Sequence, residues 1–398
     1  MVIGRLVLLL GFFAAFTPAW PQVEWVNVYN EQPSTIYSIT KAIEGGWMFC
    51  GAKQDTSIKT PQWIGAVGFI TSNGKLRWDK EMDKHSDCFD VIRTKRGYLV
   101  AGQNDTGLTN KSDGFLWLLD EQGNLQWGHD YGGSSYEEIW KVIEANNGDF
   151  LFAGISYSSD GDIKHNSGYS DCWLGRARPD GSLLWDTTLG GPGPDGGGYV
   201  AELADHTLAL AFNLGSPDLV HRSNDDLFLV HLDSIGNVIS QKQFGTSAND
   251  DPLAIKASGD GNIIIASLWK YSRSWAVKTT TDGNIIWQTD SNGLPYDPTA
   301  ALIGPDNSIY FGGFDSMQVK DTIPSLRDTF TMWIVKVDGN GHTVWRHHYR
   351  FTDSANIMIS HPQPQQLALD DDGGLIIAGN GRINGVSHGF IKARTGVQ

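Results

Sequence analysis

The phrase "DEQGNLQW", ending at Trp127, returns four more times: "TSNGKLRW" at Trp78, "RPDGSLLW" at Trp185, "TTDGNIIW" at Trp287 and "DGNGHTVW" at Trp345. Trp25 stands one step before the series, and Ser240, in "IGNVIS", fills the gap between Trp185 and Trp287. Successive differences between these positions are 53, 49, 58, 55, 47 and 58 residues, and 53 more follow Trp345. Self-similarity at a fixed period marks a repeat architecture and constrains the fold more than any local propensity. The chain therefore reads as seven units.

Other columns keep step. A glycine falls four residues before the ladder position at Gly74, Gly123, Gly181, Gly236, Gly283 and Gly341. An aromatic falls twelve before it at Phe115, Trp173, Phe228, Trp275 and Trp333. A small residue closes an apolar run at Cys50, Ala101, Ala153, Ala211, Ala266, Gly312 and Ala378. Each unit then holds four strand-like runs, such as "WKVIEA", "DFLFAG", "CWLGRA" and "SLLWDTTL", bounded by Gly, Asn or Asp. The 47 glycines fit a chain of many tight turns. Seven units of four short strands predict an all-β, seven-bladed β-propeller, since a single twisted sheet cannot bury both faces alone. The last unit lacks its Trp strand, while "VEWVNVY" at Val23 to Tyr29 is a Trp strand with no unit before it. Pairing that strand into the last blade closes the ring and removes exposed edges.

The run "YGGSSYEEIWKVIEANNGDFLFAGISYSSDGDI", with "SDCWLGRARPDGSLLW" after it, resembles the secreted bacterial seven-bladed β-propeller repeat. It is most similar to the tandem-repeat exported proteins of Bacteroidetes-type bacteria. The resemblance covers residues 23–398 and is clearest between 78 and 290. It implies the propeller fold and export, but no single activity, because propellers host many.

The N-terminus itself reads as a secretory signal over residues 1–19. Arg5 supplies the positive region, Leu6 to Phe16 a short apolar region, and Thr17-Pro18-Ala19 the small residues of a cleavage site. The apolar run is too short to span a bilayer, and no second long one follows. Residues 20–398 are expected as one propeller domain, a monomer, located in the periplasm, on the cell surface or in the medium. A formal net charge of -15 repels nucleic acid and anionic lipid and favours cations or cationic partners. Cys50, Cys88 and Cys172 form no CxxC, and Cys50 reads as a small buried residue where other units carry Ala.

Calling the inner strand of each blade A and the outer one D, the A–B and C–D links are tight turns on one face. The B–C and D–A links are long and variable and share the other face, as a scaffold presents a binding surface. Ten residues beyond the ladder position lie Glu137, Asp195, Asp250 and Asp297, with Asp87 one short of it. These acids are expected at the channel mouth. There they either cap their own turns or form a site for a cation or basic ligand. In "SSDGDIKHNSGYSDC", Asp160, Asp162, Asn166 and Asp171 offer oxygens to Ca2+, the one cofactor the chain suggests, although the closing Glu of an EF-hand is missing. Similar D-G-D loops recur in the family it resembles. Asp171 also shares a column with Asp113 and Asp226, two residues before the C-strand aromatic, where a turn bond would suffice.

No HExxH, G-x-S-x-G or G-x-x-x-x-G-K-[ST] is present. "GPGPDG" at Gly191 to Gly196 matches a nucleotide fingerprint by letters alone, because its prolines open no helix. The expectation is an exported, non-catalytic binding or scaffold module with a glycan, protein or cell-envelope ligand on the loop-rich face. A secreted polysaccharide hydrolase or lyase is the alternative and needs two carboxylates, or a His and a carboxylate, at catalytic separation. A quinoprotein-like redox enzyme is a further alternative and needs a flat cofactor slot.

Overall fold

Turn chemistry decides the local structure first. The glycine column takes φ between +74° (Gly123) and +90° (Gly236), a left-handed conformation open to glycine without a Cβ penalty. An acid holds the same turn from its other end. The Asp120 carboxylate accepts the N–H groups of Gln122 and Asn124 at 2.9 and 2.7 Å, and Asp233 does the same for Ile235 and Asn237. The eight-residue phrase is thus a self-capped hairpin turn leading into an outer strand.

A computed structural model gives the tertiary structure. It describes residues 23–29, 34–55, 62–84, 86–105, 111–215, 226–245, 249–269, 273–289, 294, 297–316, 330–349, 360–383 and 386–394. The expected signal segment 1–19, and much of the B–C loops after Asp55, Asp105, Gly215, Trp269 and Ser316, lie outside these residues. The described residues form twenty-eight strands and no helix. They make seven four-stranded antiparallel sheets, the blades of a β-propeller. The inner strands are β2 (Ser34–Lys41), β6 (Ser86–Thr94), β10 (Glu137–Glu144), β14 (Gly198–Glu202), β18 (Asp251–Ala257), β22 (Pro298–Ile303) and β26 (Ser360–Leu369). Each packs against the next, and β2 packs against β26, so the ring is closed.

Closure is made as the repeat predicts. β1 (Val23–Tyr29) pairs antiparallel with β28 (Val386–Arg394), matching Val26 with Lys392 and Tyr29 with Gly389. Seven apolar clusters fill the seven gaps between neighbouring blades. The one that joins last blade to first sets Ile376 and Ala378 against Ile36, Ile39 and Phe49. Apolar burial is therefore shared between blades, and no blade keeps a core of its own.

The Trp ladder works across the same gaps. A Cβ on Gly123 would lie 2.3 Å from the Trp78 ring of the preceding blade, and Gly236 and Gly341 are covered alike by Trp185 and Trp287. Where the ladder has Ser240, the turn glycine Gly283 is covered by the stem of Lys242. Ladder and glycine columns are two halves of one contact.

Candidate functional site: the loop-face mouth of the channel

Six of the seven inner strands carry a β-bulge at the same register. The extra residues are Tyr37, Phe89, Trp140, Leu253, Thr299 and Gln365. All six are half-buried while the residues just before them, Ile36, Cys88, Ile139, Pro252, Pro298 and Pro364, are buried. A bulge re-aims side chains and ends the regular alternation. Here it turns one residue per blade out of the inter-blade packing near the start of the inner strand, beside the D–A loops.

In blades one to three that residue is aromatic. Tyr37 and Phe89 meet edge to face at 5.5 Å. Trp140 lies over blade four, where a Cβ on Gly197 would come 2.6 Å from its ring. Blade four has no bulge, and Gly197 leaves the space Trp140 fills.

Two residues before the bulge stands a second set: Thr35, Asp87, Glu138, Asp251, Asp297 and Gln363, none of them buried. Glu138 accepts hydrogen bonds from the Tyr136 hydroxyl and the Trp140 indole. Burial, with the Asp87 charge adding to it against those hydrogen bonds, holds the Glu138 carboxyl above its ordinary value. Asp87 accepts from Gln103 Nε2 at 3.2 Å, and Asp251 from Asn213 Nδ2 at 2.8 Å. The Tyr37 phenol is pushed up to about 12 by burial and then by the Asp87 and Glu138 charges, which brings three blades into one patch.

Below this rim the channel holds a cavity of about 340 Å³. Lys141, Tyr199, Ile255, Lys256, Thr299 and Gln366 are among its walls. Lys141 Nζ lies 3.4 Å from Asp90 and 5.8 Å from the centre of the Tyr199 ring. Burial, the largest single effect, opposes the Lys141 charge, but Asp90 and then Tyr199 together more than offset it and keep the ammonium above its ordinary value. Asp90 also accepts the Ser38 hydroxyl at 2.7 Å and the Val142 N–H at 3.2 Å. Burial lowers Lys256, which donates to the Gly304 carbonyl.

The acids expected at the mouth are distributed differently. Glu137 is fully buried and turned into its own loops, accepting from Gly133 N at 2.9 Å, Ser156 Oγ at 2.9 Å and Ser158 N at 3.1 Å. Its neighbour Glu138 takes the rim position. Asp195 repeats the Glu137 arrangement, accepting from Gly191 N at 2.6 Å and Gly215 N at 2.9 Å, and Asp250 is likewise buried. Asp87 and Asp297 stand at the rim, Asp297 exposed with φ +52°. Adjacent strand residues face opposite ways, so one step in register decides which acid reaches the mouth. The signal for the bulge was present as proline inside inner strands, in "DPLAIKA", "DPTAALI" and "QPQQLAL", where a regular ladder would exclude it.

The four residues of the D-G-D loop serve separate local bonds, the Asn166 oxygen accepting from Gly168 N at 2.8 Å. Asp160 accepts from Ser134 N at 2.7 Å, Asp162 from Gly132 N at 3.0 Å and Asp171 from Ser167 N at 2.7 Å. Asn166 donates to the Ser156 carbonyl at 3.0 Å. Among the described residues no group of three or more His, Cys, Asp or Glu is assembled that could hold a metal ion. The three cysteines are buried and unpaired as disulfides.

No family model matches the chain, and no curated protein matches it. Solved structures do match in fold. Sqt1 from Chaetomium thermophilum is 7% identical over 95% of this chain and 99% of its own, with a TM-score of 0.54. The Pan2 WD40 domain from Neurospora crassa is 8% identical over 95% and 96%, again at 0.54. A protein of unknown function from Dyadobacter fermentans is 10% identical over 94% and 99%, at 0.50. At such identity the likeness is one of fold alone: this chain is a β-propeller, and its chemistry has to be read from its own rim.

Proposed function

We propose that the protein is an exported binding propeller of the tandem-repeat type, and that its ligand sits at the loop-face mouth of the channel. The observation that carries this reading is the set of six aligned bulges. They gather aromatic and carboxylate side chains from successive blades onto one rim, beside the long loops. Regular inner strands would bury or scatter those side chains, and bulges recur beside functional sites. A mouth of this kind is concave and mostly preformed, with a few polar groups fixed among apolar ones.

The test pairs location with binding. N-terminal sequencing of protein recovered outside the cytoplasm should begin after Ala19. A panel of glycans and peptides should contain ligands whose binding falls on Trp140→Leu. Intact export with no ligand sensitive to the rim would defeat the binding reading.

A hydrolase or lyase is the second reading, favoured by one observation: Asp87 and Glu138 share the rim, and the Glu138 carboxyl is held above its ordinary value. A carboxyl of raised proton affinity beside a second carboxylate is the kind of pair an acid and its partner need. Release of reducing ends from a polysaccharide, abolished by Glu138→Gln, would establish it.

A further inference from the structure

The mouth of the channel is built of acceptors. Asp87, Glu138, Asp251 and Asp297 bring carboxylates to one register in four blades. Gln103 turns its Nε2 to Asp87, and its own Oε1 is buried without a hydrogen-bond partner. Of the donors nearby, the Tyr136 hydroxyl and the Trp140 indole N–H are spent on Glu138, and Thr35 and Gln363 offer only uncharged ones. The faces of Tyr37, Phe89 and Trp140 carry the negative side of the ring quadrupole. The carboxylates and the ring faces together favour a positively charged donor.

The protein already shows one answer a single residue further along the inner strand. Lys141 reaches the Asp90 carboxylate and at the same time stands over the face of Tyr199. A cation held by a carboxylate and an aromatic ring is therefore compatible with this channel.

We propose that the mouth binds the guanidinium of an arginine side chain projecting from an extended peptide. Its N–H groups go to Glu138 and Asp87, and its plane lies against Trp140 or Phe89. This deepens the binding reading above and rests on it. Arginine suits the site better than lysine because its planar fork offers five donors at once and stacks on aromatic rings. A peptide suits it better than a polysaccharide because the acceptors surround an axis, which a single side chain can enter. Sugar rings would need a groove to lie along.

The test is calorimetric titration of the purified full-length protein with acetyl-Gly-Arg-Gly-amide. The citrulline analogue has the same shape without the charge. Chitotriose and cellotriose supply an amino-sugar arm and a neutral-sugar arm. The arginine peptide should bind, and the citrulline peptide should bind at least about tenfold more weakly, the scale of a charge-assisted hydrogen bond. Glu138→Gln, Asp87→Asn and Trp140→Leu should each weaken it by about tenfold while melting curves remain cooperative. Increasing salt should weaken it further. Equal binding of arginine and citrulline, or arginine binding indifferent to Glu138→Gln, overturns the proposal. Rim-dependent binding of chitotriose or cellotriose, with none of the arginine peptide, overturns it while leaving the binding reading intact. Binding of none of the four overturns the proposal, and the wider panel then decides the binding reading.

Discussion

Adding a Cβ to Gly123 would set it 2.3 Å from the Trp78 ring at a φ of +74°. Gly261 has a similar φ of +81°, with nothing within 4 Å. Gly261→Ala should thus cost only the left-handed strain, about 1 kcal/mol, whereas Gly123→Ala adds displacement of a packed indole and should reach about 3 kcal/mol. Urea unfolding of both variants checks this, and equal losses would remove the packing role given to the ladder. Asp171 makes a second case. Its Oδ1 is buried without a hydrogen-bond partner, and a Cβ on Gly190 would lie 2.5 Å from it and 2.4 Å from Asp195 Oδ2. Burial first, and the Asp195 charge after the opposing Ser167 hydrogen bond, hold the Asp171 carboxyl above its ordinary value. A raised carboxyl lowers stability above its folded-state value and returns it as the pH falls through that value. Asp171→Asn should therefore stabilise the protein by about 1 kcal/mol at pH 7.5, with the gain shrinking as the solution is acidified into the carboxylate range. Melting temperatures of both proteins across that range decide it.

The bulge is the element on which the site turns. In β6, Cys88 pairs with Gly102 and Asp90 with Ala101, and Phe89 is the residue between them. Deleting Phe89 restores a regular ladder and reverses the facing of every residue before it. Asp87 would then enter the inter-blade gap and Cys88, now fully buried, would leave it. A charge placed there should destabilise the protein by about 3 kcal/mol or more. Cys88 should become open to a thiol reagent that does not reach it in the parent. Continued protection of Cys88 would show that the strand slips elsewhere. This element also marks where sequence reading stopped. Counting from the ladder leads to Glu137 and passes over its neighbour, and only the bulge says that Glu137 faces the loops and Glu138 the mouth. Proline before Leu253, Thr299 and Gln365 hinted at irregular inner strands, and the aromatic bulges of the first three blades carry no such mark.

Across the whole molecule, blades are joined by side chains that reach to the next inner edge. Ser38 of blade one donates to Asp90 of blade two, which meets Lys141 of blade three, which stands over Tyr199 of blade four. Ser38 Oγ accepts the Val91 N–H and Asp90 accepts that of Val142, so bare inner edges are satisfied from the neighbouring blade. Asp90→Ala leaves Lys141 without its counter-charge and should cost about 3 kcal/mol, more than Lys141→Met combined with Asp90→Ser. Chemical denaturation of the single and double variants tests that order. The chain alone determined the blade count, the strand order, the hairpin turns and the closing strand. Each of these is written in local patterns: a left-handed glycine, a capping acid, a Trp strand left over at one end and missing at the other. The rim was decided only by tertiary structure. Its members Tyr37, Phe89 and Trp140 are roughly fifty residues apart in the chain. They meet because closure brings successive inner strands around one axis, and because an inserted residue, invisible to a period of two, turns each of them toward it.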